Sequence, residues 1–278
     1  MALTRPGIAA KRQAFRELHE SGCFVIPNPW DIGSARYLQS LGFKALATTS
    51  SGFAWSQARP DCGVPRERVL QHLAELVAAT DLPVNADFEN GFAADSAGVR
   101  ESVRLAVETG VAGLSIEDST GNAAAPLFDL NTAVERVRAA RRAIDERGGD
   151  ALLVARAECF LVGQPDLDTT IGRLKAYADA GADCLYAPGI RTAAQISAVV
   201  EAVHPKPVNL LVIAPGELTL REIADFGVRR VSVGGALARA AWGGFMRAAR
   251  EIAEHGTFDG LKVGAAGKEL NALFGGGA

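Results

Sequence analysis

A chain of 278 residues can bury one large core or two smaller ones, so periodicity has to decide the number of domains. Its 29 Lys and Arg are interleaved with 32 Asp and Glu, a formal charge of −3, which argues against a nucleic-acid or anionic-membrane surface. Cys23, Cys62, Cys159 and Cys184 lack CxxC spacing and the four histidines are dispersed, so neither a disulfide frame nor a histidine-rich or zinc site is expected.

The opening stretch, MALTRPGIAAKRQAFRELHESG, has no apolar run behind its basic residues and does not read as a secretory signal. No later segment reaches the roughly 18 uninterrupted apolar residues of a membrane span, and the expected location is the cytoplasm. Short apolar runs follow at 24–26, 45–48, 84–86, 113–116, 152–155, 184–187, 208–212 and 228–233. Between them, stretches such as 66–80, 97–110, 131–147 and 169–181 place apolar residues three and four apart, as helices do. Thr109-Gly110, Ala180-Gly181 and Phe226-Gly227 read as helix C-termini ahead of the next strand. Strand and helix thus alternate eight times, which predicts a single parallel (β/α)8 barrel over 1–255. An open doubly wound sheet is the alternative; against its dinucleotide-binding form, the first strand is followed by PNPWDIGSA and not by GxGxxG. Residues 256–278 are too short for a domain, and their ELNALF segment predicts a helix that docks on a neighbouring subunit.

In a parallel barrel the chemistry gathers at the C-terminal ends of the strands. After the second strand come Thr49, Ser50, Ser51 and Gly52, then Asp61. The third runs into PVNADFENGF, where Asp87 and Glu89 stand two apart on one strand face and repel unless a positive charge lies between them. The fourth ends in Glu117 and Asp118, the fifth in Arg156 and Glu158. Asp and Glu without imidazole suit a hard cation that keeps water and substrate in its other positions, Mg2+ or Mn2+ before Ca2+ or zinc. In the competing reading each acid caps a helix or pairs with a base. Arg156 either pairs with Glu158 or Glu117 or grips a substrate carboxylate with its planar fork. The small residues of TSSG leave backbone N–H groups to hold a second anionic group. No proposed strand ends in a lysine, so a Schiff-base aldolase is not expected and carbonyl activation falls to the metal. Tyr186, Asn209 and Leu211 read equally as packing or as substrate contacts.

NPWDIGSARYLQSLGFKALATTSSGFA, RPD, PVNADFENGF, AVETGVAGLSIED, LLVARAE, RLKAYADAGADCLYAPG and PVNLLV, in this order over about residues 20–235, together resemble the isocitrate lyase/phosphoenolpyruvate mutase superfamily. The resemblance implies a (β/α)8 barrel whose eighth helix is exchanged with a neighbouring subunit, a homotetramer built as a dimer of dimers, and Mg2+ bound mainly through water. It implies Asp87 as the direct metal ligand, with Asp61, Glu89 and Glu117 holding metal-bound waters. Arg156 would bind the carboxylate of a 2-oxo acid, and the Ser50-Ser51-Gly52 backbone its other end. Asp61, Glu89 and Arg156 form the expected catalytic set.

One loop departs from the pattern. After the fourth strand the superfamily's isocitrate and methylisocitrate lyases carry Lys-Lys-Cys-Gly-His or a close variant, and its phosphonate mutases a Lys-Lys-Asn-Ser type sequence. Here EDSTGNAAAPLFDL has no lysine, cysteine or histidine, and VARAE lacks the usual Thr and Asp after the arginine. Cys62, in an earlier loop, reads as a buried or incidental thiol before a replacement acid. Cleaving a 2-hydroxy tricarboxylate needs a base and an acid that this loop does not offer. Splitting a 2-oxo diacid needs only a Lewis acid at the 2-oxo group and a proton from water. The expectation is a Mg2+-dependent lyase or decarboxylase acting on an oxaloacetate-like 2-oxo acid through a metal-stabilised enolpyruvate. The alternatives are phosphorus–carbon bond chemistry on phosphonopyruvate, as mutase or hydrolase, and a non-catalytic protein that binds a 2-oxo acid.

Overall fold

The computed structural model describes residues 5–216 and 218–275. Helix α1 (Ile8–Leu18) precedes β1 (Phe24–Ile26), α2 (Ile32–Ser40), β2 (Leu46–Ala47), α3 (Ser50–Ser56), α4 (Arg66–Ala79) and β3 (Val84–Asp87). Strand and helix then alternate through α5 (Ser96–Glu108), β4 (Gly113–Glu117), α6 (Leu130–Asp145), β5 (Leu152–Arg156), α7 (Leu167–Asp179), β6 (Cys184–Tyr186) and α8 (Ala193–Val203). β7 (Val208–Leu211), α9 (Leu220–Asp225), β8 (Arg230–Ser232), α10 (Ala236–His255), a 3-10 turn (Asp259–Val263) and α11 (Gly267–Gly275) complete the chain.

All strand pairs are parallel, in the order β1-β8-β7-β6-β5-β4-β3-β2. β1 and β2 share no ladder, yet Ala47 N donates to Pro27 O at 3.0 Å between them. At the rim, buried Asn28 donates to Thr48 O (2.9 Å) and accepts from the Val233 and Gly234 amides (2.9 and 2.8 Å). These bonds close the barrel. The eight expected strands are therefore present; β1 keeps its expected bounds, and each of the others is trimmed by up to a few residues or extended by one.

Side chains alternate across each strand. Val84, Ala86, Leu114, Ile116, Leu153, Ala155, Leu185, Val208, Leu210 and Val231 point outward and are buried under the helices in one large core. Inside the barrel, Phe15 of α1 plugs the lower end against Ile26, Ala45, Ala47, Ala112 and Leu152. Gly113 is required there, since a Cβ would stand 2.9 Å from both the Phe15 ring and Leu152 O. Helix starts are fixed locally: Asp31, Thr192 and Thr219 close capping boxes, and Asp95, Asp129 and Asp166 each accept an N3 amide. The three predicted C-terminal glycines, Gly110, Gly181 and Gly227, all have positive φ.

Helix α10 is poorly covered for its length: of its 20 residues only Ala238 is buried, while Leu237, Phe245, Met246 and Ile252 are exposed. The tail helix forms as ELNALF predicted; α11 touches α2 of its own chain, with Phe274 over Gly33. Residues 276–278 of the tail, like residues 1–4 of the opening stretch, lie outside the described residues. No described helix is long and apolar enough to cross a membrane, and all four cysteines are free.

At the barrel floor, His19 Nδ1 meets Phe15 O at 2.7 Å, which makes Nδ1 the protonated nitrogen and leaves Nε2 as an acceptor toward Arg230 Nη1 at 3.5 Å. Burial, then the Arg230 charge, pull the His19 pKa down to about 3. A folded-state pKa below the unfolded value means that the unfolded chain binds the extra proton, so stability falls as pH drops below about 6.5 toward 3. His19→Gln is expected to reduce the slope of unfolding free energy against pH, between pH 4 and 6, by about one proton in urea titrations. An unchanged slope would mean that His19 is protonated in the folded state.

Candidate active site

The C-terminal rim is organised around one guanidinium. Arg156, the last residue of β5, donates from Nη1 to Asp87 Oδ1 (2.8 Å) and from Nε to Glu158 Oε1 (2.8 Å), with Nη2 3.1 Å from Glu117 Oε2. The Tyr186 ring lies beneath it, 5.0 Å from Cζ to the centroid. Burial works against the arginine's charge, but Glu158, Glu117 and Asp87 outweigh it and hold the pKa above the ordinary value. Each carboxylate is placed by register: β4 and β5 pair Glu117 with Arg156, and β3 and β4 pair Asp87 with Ser115. Asp87 is held further by its own N–H to Thr48 Oγ1 (2.8 Å) and by the Ser50 amide on Oδ2 (2.9 Å).

Glu89 joins the cluster by a different route from the one the sequence implied. β3 stops at Asp87, Phe88 turns fully into the core, and Glu89 takes a left-handed φ of 48°. Strand alternation therefore does not apply; a left-handed turn brings the two acids together. Burial, then the charges of Asp87 and Asp61, push the Glu89 pKa up to about 8. Asp61 comes from the loop between α3 and α4. Its pKa is raised by desolvation and by Asp87, against a bond from the Ser50 hydroxyl. Its neighbour Cys62 has φ 59° and is exposed; desolvation and then Glu89 and Asp61 push its thiol pKa up, so it is no thiolate. Non-glycine residues at positive φ cost conformational energy that the surroundings must offset, and two of them flank this acidic rim.

Of the expected site residues, Ser50, Ser51, Asp61, Asp87 and Arg156 line one cavity, Glu117 pairs with Arg156 behind it, and Gly52 and Glu89 do not line it, with two further refinements. Of the three amides expected to receive an anion, Ser50 N already bonds Asp87 and Gly52 N bonds Thr49 Oγ1 (3.2 Å). Asp118, grouped with the rim acids by sequence, is turned away from it. It accepts from the Tyr177 hydroxyl (2.5 Å), Arg173 (3.0 Å) and Glu158 N (2.8 Å), and so joins β4 and β5 to α7.

The rim opens into a cavity of about 210 Å³. Asp61, Asp87 and Arg156 line one part and Leu161, Leu211 and Ile213 another. Gly235, after β8, packs closely here, since a Cβ would stand 2.7 Å from Ser51 Oγ and 3.1 Å from the Trp55 ring. The departing loop after β4 folds back as a small turn, with Thr120 N on Pro126 O (2.9 Å) and a bridge between Ser119 and Leu127. It brings no titratable side chain after Asp118 to the mouth.

The donor set fits a hard divalent cation. Asp87, Glu117 and Glu158 contact a single guanidinium while Asp61 and Glu89 add their charge beside Asp87, and Glu117 is pushed well above the usual carboxylate range by burial, with Glu158, Asp87 and Glu89 adding to it against the pull of Arg156. Such a site lacks positive charge. Among the described residues no three His, Cys, Asp or Glu side chains stand close enough to ligate one ion together.

Sequence reasoning missed Thr48, which orients Asp87, and Arg230, which lines the cavity below the rim. Arg230-Val231-Ser232 alternates polar, apolar, polar, the signal of a strand with a polar inner face.

Known proteins share this arrangement of chain. The family model described as phosphoenolpyruvate phosphomutase matches residues 15–253. The crystal structure of a candidate lyase/mutase from Burkholderia cenocepacia J2315 superposes with a TM-score of 0.93 at 50% identity, covering 96% of this chain and 97% of that one. An uncharacterised protein of Mycobacterium tuberculosis is 32% identical over 80% of this chain and 81% of its own. An oxaloacetate decarboxylase of Pseudomonas aeruginosa is 30% identical over 79% and 77%.

Because Arg156 is the countercharge of three carboxylates, Arg156→Met is expected to lower the stability of the metal-free protein by about 3–5 kcal/mol. Millimolar Mg2+ should restore more of the melting temperature in the variant than it adds to the wild type. Equal responses of the two proteins would show that the cation and Arg156 do not share these carboxylates.

Proposed function

We propose that this chain, which belongs to the phosphoenolpyruvate phosphomutase family of the isocitrate lyase/phosphoenolpyruvate mutase superfamily, is a divalent-metal-dependent lyase that splits a small 2-oxo diacid of the oxaloacetate type. The observation that carries this reading is the Arg156 nest. A carboxylate-binding fork sits beside an oxygen-rich, charge-deficient site in a small cavity. The relative named oxaloacetate decarboxylase supports the substrate class.

Asp87 would hold Mg2+ or Mn2+ directly, with Asp61, Glu89 and Glu117 on its waters. A cation held there would supply a Lewis acid for the 2-oxo group and for the charge released by bond cleavage. The chain supplies the rest. Arg156 takes the carboxylate next to the 2-oxo group, exchanging one protein carboxylate for that of the substrate, and the Tyr186 ring keeps the guanidinium in plane. Ser51, on the cavity wall, borders the substrate at the rim. Leu161, Leu211 and Ile213 exclude water from the breaking bond. In oxaloacetate the bond from C3 to the terminal carboxyl breaks, carbon dioxide leaves, and C3 takes a proton from water to give pyruvate. Phosphorus–carbon chemistry is the weaker reading, because the loop after β4 brings no lysine or arginine for a transferring phosphoryl group.

Pyruvate release from oxaloacetate with Mg2+ is expected to exceed that of Asp87→Ala by about a hundredfold or more, and to vanish in EDTA. A variant that keeps the wild-type rate would remove Asp87 from the reaction.

The assembly forms part of the same proposal. Leu237, Phe245, Met246 and Ile252 leave an apolar strip on α10 that its own barrel does not cover. Exchange of this helix between two subunits would bury the strip, and pairing of two such dimers gives the tetramer. Native mass spectrometry is expected to show even-numbered oligomers, and Phe245→Glu with Met246→Glu to yield monomers. A wild-type chain that is monomeric at micromolar concentration would refute the exchange.

A further inference from the structure

Below the rim lies a second buried guanidinium that the proposed reaction does not use. Arg230 opens β8, is 2% exposed, and lines the same cavity as Arg156. Its position follows from barrel shear. One row of ladder partners runs Glu117, Arg156, Tyr186, Asn209, Arg230 across five strands. In β4, β5 and β6 this row takes the last residue; in β8 it takes the first. The row therefore descends from the mouth to the floor, with an arginine near each end.

The two arginines are compensated in opposite ways. Arg156 faces three carboxylates. Arg230 donates from Nε to Asn209 Oδ1 at 2.7 Å, and Nη1 reaches only Asn85 Oδ1 at 3.4 Å and neutral His19 Nε2 at 3.5 Å. Among the described residues no carboxylate pairs with it, and its Nη2 has no protein acceptor. A structural role is recognisable elsewhere in the chain: Arg136, equally buried, donates to the Asn90, Ala93 and Ala94 carbonyls and lies over the Phe128 ring. Arg230 has no such set of carbonyls. A buried cation with one good acceptor and an open cavity beside it is costly unless an anion completes it.

We propose that Arg230, with Ser232 and Asn85 beside it on the cavity wall, is the second anion-binding end of the site, and that the substrate is a dianion spanning rim and floor. This inference rests on the reading of the rim as the site of a 2-oxo acid and adds a selection rule to it. Arg156 takes one carboxylate, and Arg230 makes a molecule with a second, distal carboxylate a better ligand than one ending in a methyl group. Monoacids of the same length lose because they leave the buried guanidinium unpaired.

The test compares succinate with butyrate, equal in chain length and differing by one carboxylate, by calorimetric titration in EDTA. Neither metal nor turnover then enters. The wild type is expected to bind succinate at least about tenfold more tightly than butyrate, as one charge-assisted hydrogen-bonded end contributes. Arg230→Met should bind butyrate as the wild type does and lose the preference, whereas Arg156→Met should weaken both ligands. If Arg230→Met does not fold, Arg230→Lys decides: it keeps the charge without the fork and should show a reduced ratio. An undiminished ratio in the folded variant, or no preference in the wild type, overturns the proposal. The lyase reading is judged separately: pyruvate release without a diacid preference would retain the lyase and discard the subsite, and a preference without pyruvate release the reverse.

Discussion

The site depends on one electrostatic constraint, the gathering of five carboxylates at the mouth of a barrel that supplies a single guanidinium there. Three of them, Asp87, Glu117 and Glu158, reach Arg156 directly, while Asp61 and Glu89 contribute charge without a positive partner of comparable closeness. Arginine suits this post because its planar fork meets several acceptors at once and its charge survives burial. A lysine could not satisfy three carboxylates from one nitrogen with the same geometry. Burial, and then the neighbouring carboxylates, still displace Glu89 and Glu117 toward protonation.

The fold serves that constraint through features far from it. Asp118 does not touch the cavity, but by joining Tyr177, Arg173 and the Glu158 amide it fixes where β5 leaves the barrel, and so where Glu158 meets Arg156. Asn28 does the equivalent across the closure, tying the loop after β8 to the end of β2, next to the Thr48 that orients Asp87. Small residues matter for the same reason. Gly235 lets the loop after β8 pack closely on Ser51 and Trp55.

Most of the architecture was legible in the chain because outward strand positions must be apolar under a helical layer, and runs such as Leu152–Arg156 carry that requirement openly. The acids and Arg156 were legible as well, since a charged residue ending an apolar run is conspicuous. Contacts set by three-dimensional register were less so. Glu89 reached its place through a left-handed turn, which nothing in the composition of PVNADFENGF specifies beyond the following Asn90-Gly91. Asp118 looked like its neighbour Glu117 because which of two adjacent residues faces the barrel interior is settled only by the strand's phase.

Arg230 is the plainest case of this limit. In the sequence it is half of an Arg229-Arg230 pair at a helix–strand junction, where two bases would ordinarily face solvent. Strand phase separates them: Arg229 bonds the Gly22 carbonyl outside, and Arg230 turns into the barrel. Phase alone would still not make Arg230 part of a binding site. That requires the shear of the barrel, which carries the row beginning at Glu117 downward through Arg156, Tyr186 and Asn209 until its fifth member lines the same cavity as Arg156 from below. A linear reading sees an acid near residue 117 and a base near residue 230 as unrelated. A sheared, closed sheet makes them the two ends of one wall.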